Sequence, residues 1–407
     1  MKEVTVALVG IGGYGEFYAN RLLNSADAHD VRFVAAIDPQ PNRSAYWDAL
    51  QAARIPIYDD LEAFYRVAMA DLVVIAAPIH LHAPFTCQAL SQGSNVLCEK
   101  PLCATLEEAQ SMAAAEKQAG RFVAIGYQWS FSEPIQALKH DILDGAFGRP
   151  LRLKTKTLWP RPASYFRRND WAGRIRTAGG QWVLDSPANN ATAHYLHNMF
   201  YVLGERRESS ARPVTVQAEL YRANPIENYD AAAIRIVTEA GTEILFYTAH
   251  PVKEEIGPAM HFAFERGTVD HVRHQGSVQA RFRDGRTKRY GDPDAGVELK
   301  LWQAVDAVRT GAPVACGIDA ALSHTLCINA AQASHITPFP QEMLRREERA
   351  GDHLIWVEGL QSAFEACYDG NSLPAAEAGI PWAVAADEID LRTRDGCGEA
   401  SDGRSTQ

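Results

Sequence analysis

The stretch that most constrains this chain comes almost first. Val4-Thr-Val-Ala-Leu-Val9 is a short apolar run rich in β-branched residues, and it breaks off into Gly10-Ile-Gly-Gly-Tyr-Gly15. Gly10, Gly12 and Gly15 stand at the G-x-G-x-x-G spacing, and Tyr14 to Leu23 reads as a helix. Each glycine answers a separate demand: Gly10 the tight turn, Gly12 the approach of backbone to a pyrophosphate, Gly15 the close packing of helix on strand. The helix N-terminus then offers free N–H groups and a positive dipole end to phosphates. Glycine-rich turns also serve plain backbone geometry. Its place after a strand and before a helix makes this turn, with Ile11, Gly13 and Tyr14, a candidate nucleotide site.

A second apolar run, Val31 to Ile37, ends in Asp38, 23 residues beyond Gly15. At that spacing a carboxylate hydrogen-bonds the ribose hydroxyls of a dinucleotide. It would repel a 2′-phosphate, so the expected cofactor is NAD and not NADP, a preference that Arg43 softens. The alternative for Asp38 is a simple strand-end cap. Helices are expected over 44–53, 61–67, 84–92 and 106–119, the last closed by Gly120, with strands at 56–58, 71–78, 95–98 and 122–126. The run Asp71 to Pro78 is apolar enough to be buried on both faces. This alternation predicts a doubly wound parallel (Rossmann) sheet over residues 1–128.

The 407 residues suggest about two domains. A formal charge of −10 leaves no basic excess for nucleic acid. Seven cysteines are scattered singly with no C-x-x-C, the pattern of reduced thiols and not of disulfides or zinc ribbons. His194 and His197 lack a clear third ligand, so no metal is expected. Met1-Lys-Glu runs straight into the first strand, leaving no room for a signal peptide. No apolar stretch approaches the roughly 18 residues of a membrane span. The expectation is a soluble cytoplasmic protein.

Two more strand ends carry chemistry: Ala77-Pro-Ile-His-Leu-His82 and Leu97-Cys-Glu-Lys-Pro101. With the glycine turn and Asp38, they resemble the Gfo/Idh/MocA oxidoreductases, the glucose–fructose oxidoreductase and inositol dehydrogenase family. The family's E-K-P is matched fully by Glu99, Lys100 and Pro101, and its T-P-N-x-x-H appears with Ile79 in place of the asparagine. The resemblance covers the first domain and, more loosely, the start of the second. It implies cofactor contacts at Ala77, Pro78, His80, His82, Glu99, Lys100 and Gln128, and a cis Lys100–Pro101 bond. An ammonium beside the nicotinamide can hydrogen-bond a substrate hydroxyl and, with its proton affinity lowered, exchange a proton. The competing reading of Lys100 is a surface lysine paired with Glu99.

From Trp129 the pattern alternates apolar and polar residues at 151–159, 214–221, 231–238, 243–248, 260–264, 268–273 and 277–283, which predicts a mostly antiparallel open sheet with flanking helices over 129–386. Its open face must be covered, and a homodimer or homotetramer is expected to do so. Before most of that sheet comes Ala178 to His197. Ser186 is a good N-cap and Pro187 a natural first helical residue of a helix running to Leu203. Asn190, His194 and His197 then share one face, beginning near Asp185, and suggest a wet cleft.

The family pattern here is G-G-x-x-x-x-D-x-x-x-H. Counted forward from Gly179 and Gly180 it places the acid on Asp185 and the histidine on Asn189. Counted back from Gly204 it selects His194. His194 is favoured as acid/base with Asp185 orienting it or the sugar, and Asn190 is the next candidate. The aromatic, basic loop from Trp159 to Trp171 offers Tyr165, Arg168 and Trp171 to a sugar. Tyr127 follows the last strand of the first domain and is a further candidate substrate contact. Ser130 stands where the family often has an arginine, so an acidic sugar is not expected. Helices are expected at 299–309, 320–333 and 355–368, and residues 387–407 read as a loose tail.

These residues together imply an NAD-dependent dehydrogenase acting on a secondary alcohol of a pyranose, glycoside or cyclitol, with Lys100, His194 and Asp185 as its catalytic groups. The rivals are a glycosidase that oxidises transiently on bound NAD and a non-enzymatic NAD(H)-binding regulator.

Overall fold

A computed structural model describes residues 2–273, 276–349 and 351–392. The first 125 residues build a six-stranded sheet from β1 (Val4–Val9), β2 (Val31–Ile37), β3 (Ile57–Tyr58), β4 (Leu72–Ile75), β5 (Asn95–Cys98) and β6 (Val123–Ile125). Every pairing is parallel, and the strand order is β3-β2-β1-β4-β5-β6. β4 is wholly buried and β1 and β5 are buried at all but one residue each, as apolar runs covered on both faces must be. The order reverses between β1 and β4, which opens a crevice at their carboxyl ends. The helix Leu106–Ala119 is set by a capping box between Thr105 and Glu108 and stopped by Gly120 in the left-handed region.

The second sheet is larger. It runs β14 (Thr287–Gly291), β13 (Val278–Phe282), β12 (Gly267–Val272), β11 (Ile256–Phe264), β7 (Pro150–Leu158), β10 (Glu243–Ala249), β9 (Ala231–Thr238), β8 (Pro213–Arg222) and β15 (Ile336–Pro338). β7 pairs with β10 and β8 with β15 in parallel; the other neighbours are antiparallel. β16 (Leu344–Arg349) and β17 (Asp352–Val357) form a separate hairpin. The helix expected from residue 355 begins only at Leu360, because Leu354 to Val357 belong to β17. Residues 387–407 were expected as a loose tail, yet β18 (Glu388–Asp390) pairs with β8, and the Leu391 N–H donates to the Val214 carbonyl at 2.8 Å. The hydrogen-bonding edge of β8 gives this polar segment its place; residues 393–407 lie outside the described residues. A helix at Glu133–Leu143, started by Pro134, had no counterpart in the sequence reading.

The two faces of the second sheet differ. Val216, Ala218, Ile234, Ile236, Ile244 and Phe246 join one core that is continuous with the first sheet. Their strand neighbours Tyr221, Ala231, Ala233, Leu245 and Tyr247 form another core with Leu360, Phe364 and Trp382. The open face was expected to need a second subunit. Its apolar part is covered within the chain by the helix Leu360–Gly370 and the segment that follows. That cover is fastened by polar contacts, with Lys154 donating to the Tyr368 carbonyl at 2.6 Å and Tyr247 to that of Ser372 at 2.7 Å.

The parts interlock. The helix Leu299–Thr310 packs on β1, β4 and β5, and the helix Ile318–Ala331 lies against both sheets. The Ile125 N–H donates across to the Cys316 carbonyl at 2.8 Å. At the glycine turn, a Cβ on Gly15 would sit 2.0 Å from the Gly10 carbonyl oxygen, a backbone atom that cannot move aside. Gly15→Ala is therefore expected to destabilise the protein by about 1–3 kcal/mol or more, while Gly12→Ala, whose Cβ meets nothing within 4 Å, leaves thermal stability nearly unchanged. Melting curves of the two variants check both.

Candidate active site

The carboxyl ends of β1, β2, β4 and β5 border a cleft of about 710 Å³. One side carries Gly12, Gly13, Tyr14, Asp38, Ala77 and Pro78. The Asp38 carboxylate accepts the Ile11 N–H at 3.0 Å and the Gln40 N–H at 2.8 Å, so it ties the glycine turn to the next strand end. The Ser44 hydroxyl fixes the same turn by donating to the Ile11 carbonyl at 2.7 Å. Ile11 itself is buried under the turn, as are the close approaches at Gly10 and Gly15. The helix Gly15–Ser25 starts here and brings its positive dipole end to the turn. Gly12 and Gly13 have open space where side chains would stand. These features fit a dinucleotide.

Lys100 lies at the end of β5, after which the cis Lys100–Pro101 bond turns the chain. The imidazole of His82, which lines the cleft, bridges the Pro101 carbonyl at 2.7 Å and the Ala77 carbonyl at 3.0 Å, joining the two motif-bearing strand ends. The Lys100 ammonium crosses to the second domain. It donates to the Asn190 backbone carbonyl at 2.8 Å and to Asn190 Oδ1 at 3.0 Å. Asn190 Nδ2 in turn donates to Asp185 Oδ1 at 2.7 Å. Asp185 Oδ2 accepts the Gly173 N–H at 2.6 Å and faces the Arg168 guanidinium at 3.4 Å. A chain of polar contacts thus runs from Lys100 through Asn190 and Asp185 to Arg168. Burial lowers the proton affinity of Lys100 to about 8, with Glu99 and Asp185 opposing the shift and Lys300 and Arg168 adding to it.

The Glu99 carboxylate accepts the Lys100 backbone N–H at 3.2 Å but is not a partner of its ammonium, which is turned to Asn190. That carboxylate meets the ammonium of Lys300 and accepts the Tyr18 hydroxyl at 2.6 Å. Burial would raise its pKa, but Lys300 and Tyr18 hold it below the usual carboxylate value. The sequence reading missed Lys300 and Tyr18. The available signal was a lysine in the buried phase of an amphipathic helix, four and seven residues before Ala304 and Ala307.

Tyr165, Arg168, Trp171 and Asn190 form the opposite side of the cleft, with Arg168 stacked over Tyr165 at 3.9 Å and Trp171 at 5.3 Å. Asp185 lies beneath them, 3% exposed. Other expectations require correction. Tyr127, taken as a substrate contact, is fully buried and stacked on His197 at 3.8 Å. Gln128 lies on a separate depression with His271 and Asp294, and His80 is outside the cleft lining, in the field of Asp170. His197 is buried against the Ser130 hydroxyl at 3.0 Å, not on the cleft side with Asn190. The cause is a π-helical turn at Pro187–Ala191, which breaks the even 3.6-residue phase before the α-helix Ala193–Val202. Ser186 caps that turn, accepting the Asn189 N–H at 3.2 Å, and the Asn189 side chain donates inward to the Leu184 carbonyl at 3.1 Å. His194 stands edge-on to Tyr127 at 5.9 Å, held neutral by burial and by the charges of Lys100 and Lys300. Asn190, rather than His194, touches Lys100. Among the described residues no group of metal-ligating side chains comes together.

A parallel first sheet with a glycine-turn cleft, joined to a large mixed sheet that supplies the far wall, is the fold of the two-domain nucleotide-binding oxidoreductases. Residues 4–127 match the Gfo/Idh/MocA family model, described as an oxidoreductase family with an NAD-binding Rossmann fold. Inositol 2-dehydrogenase of Burkholderia ambifaria is 27% identical over 201 residues, 49% of this chain and 54% of that protein. A 1-carboxy-3-chloro-3,4-dihydroxycyclohexa-1,5-diene dehydrogenase of Comamonas testosteroni is 31% identical over 141 residues, 35% of each chain. The chain thus spans about half the length, or less, of these curated relatives. Among solved structures, the WlbA dehydrogenase of Bordetella pertussis, in complex with NADH and UDP-GlcNAcA, superposes with a TM-score of 0.67 at 20% identity, covering 82% of this chain and 97% of that one. The aldose-aldose oxidoreductase of Caulobacter crescentus, complexed with glycerol, gives 0.65 at 22% identity, covering 81% and 98%. These likenesses support the fold.

Three buried histidines, and the half-buried His194, bear on stability. His194 and His197 are pushed well below their ordinary value by burial, His250 to about 3 and His324 to about 4. Below about pH 6.5 the unfolded chain takes up protons that these rings refuse, so stability is expected to fall as pH drops from there toward 4. Melting temperature against pH reads this, and His324→Gln should flatten the slope.

Proposed function

We propose that the protein is an NAD-dependent dehydrogenase that oxidises a secondary alcohol of a sugar or cyclitol, or reduces the corresponding ketone. The observation that carries the reading is Lys100: an ammonium of lowered proton affinity at the cleft, between a dinucleotide-type turn and an aromatic, arginine-bearing wall. Its inositol 2-dehydrogenase relatives and, among its structural neighbours, a dehydrogenase in complex with UDP-GlcNAcA and an aldose-aldose oxidoreductase support this class. Bound NAD supplies the hydride acceptor at nicotinamide C4.

The chain's own residues do the rest. Asp38, which accepts the Ile11 and Gln40 amides, would hold the ribose hydroxyls of the dinucleotide. Neutral Lys100 takes the hydroxyl proton as the carbon–hydrogen bond breaks, and in the reverse direction its ammonium returns that proton to the carbonyl oxygen. Asn190 and Asp185 aim the lysine; Tyr165 and Trp171 give a sugar ring apolar faces to stack on. Because the base form of Lys100 is required for oxidation, kcat/KM in that direction is expected to rise with pH through about 8.

Incubation with NAD and a panel of inositols, pyranoses and glycosides tests the reading by NADH absorbance. Lys100→Met is expected to lower kcat by about 10²–10⁴-fold with NAD affinity retained. Tight NAD binding with no turnover of any polyol would sink the proposal, and release of an aglycone without NADH would redirect it to elimination chemistry.

A further inference from the structure

The Glu99–Lys300 contact joins residues 201 positions apart in the chain. Lys300 is fully buried, a costly position for an ammonium unless it is well answered. Its neighbours answer it: Glu99 Oε1, the Tyr14 hydroxyl at 3.0 Å, and the faces of Tyr14 and Tyr18 at 4.5 and 5.3 Å. Glu99 is equally enclosed. A Cβ on Gly126 would come within 2.6 Å of its Oε1, and its Oε2 accepts the Lys100 N–H at 3.2 Å. Replacing a buried pair by apolar groups often costs nothing in stability, so stability alone does not account for this one. The pair sits directly behind Lys100, and Tyr14 belongs to the glycine turn.

We propose that Lys300 is a positioning residue for Lys100: by binding Glu99 from behind, it absorbs that carboxylate's charge and leaves the neighbouring lysine to face the cleft and Asn190. This rests on the reading of Lys100 as the proton-handling group. The charged and titratable groups around Lys100 are Glu99, Lys300, Asp185, Arg168 and the rings of His82, His194 and His324. Of these, Glu99 adjoins it in the chain and favours its protonated form most, and Lys300 is the cation that opposes Glu99. With Lys300 neutralised, the Glu99 charge acts on Lys100 unopposed, and Lys100 holds its proton to higher pH.

Competitive acetylation of the intact protein by acetic anhydride across pH, with mass spectrometry of the Lys100 peptide, measures this without any substrate. Lys300→Met is expected to move the Lys100 midpoint upward by about one unit or more, and Lys300→Arg to keep the wild-type midpoint. Lys300→Gln, which removes the charge but still donates to Glu99, repeats the test if the methionine variant does not fold. The pH-dependent limb of sugar oxidation should move in the same direction. A folded Lys300→Met or Lys300→Gln protein with an unshifted Lys100 midpoint overturns the proposal. If the midpoint shifts but no polyol is turned over, the inference stands and the dehydrogenase reading falls.

Discussion

A carboxylate inside a protein has to be answered, and at Glu99 the answer arrives from the far end of the chain. The pair with Lys300 fixes the helix Leu299–Thr310 against β1, β4 and β5 and closes the crevice from behind. Other ties run the same way. Arg309 donates to the carbonyls of Lys2 and Asp30 at 3.1 and 3.0 Å, and Asn329 to that of Ala104 at 2.8 Å. Without this packing the nucleotide-side sheet would lack one of its two apolar covers, and the turn after β5 would have no fixed orientation. The chemistry of the cleft therefore depends on residues that no contiguous motif contains.

The far wall of the cleft is equally a matter of phase. One π-helical turn separates Asn190, which reaches Lys100, from His197, which is buried against Ser130. A wide turn of this kind adds a residue to the helical repeat, and such bulges recur at functional sites. Here the wide turn places a carboxamide at the lysine, bracketed by Asp185. A carboxamide can orient an ammonium but takes no proton, and it is the group that Lys100 meets across the cleft.

Local signals served well where the structure is local. The glycine turn, Asp38, the alternation of buried strands and the Glu99-Lys-Pro101 end of β5 all lie in single segments whose geometry is dictated by neighbours a few residues away. Periodicity located β7 to β13 within a residue or two at most ends, except that β11 begins four residues earlier, at Ile256. It failed where tertiary packing decides. β15 and β18 are three-residue strands that exist only because β8 offers an edge. Tyr127 looked like a polar handle at a strand end, yet the stacked ring of His197 fills the space in front of it. No local motif marks Lys300, because its partner Glu99 lies 201 positions away in the chain.

The cover over the second sheet has a physical consequence of its own. A sheet face protected by another subunit is protected only while that subunit is present, and dilution exposes it. Here Leu360, Phe364 and Trp382 reach Tyr221, Leu245 and Tyr247 through the same polypeptide. Their effective concentration at that face is set by the length of the connecting chain and not by the amount of protein in solution. The apolar half of the sheet thus stays shielded at any dilution at which the chain is folded.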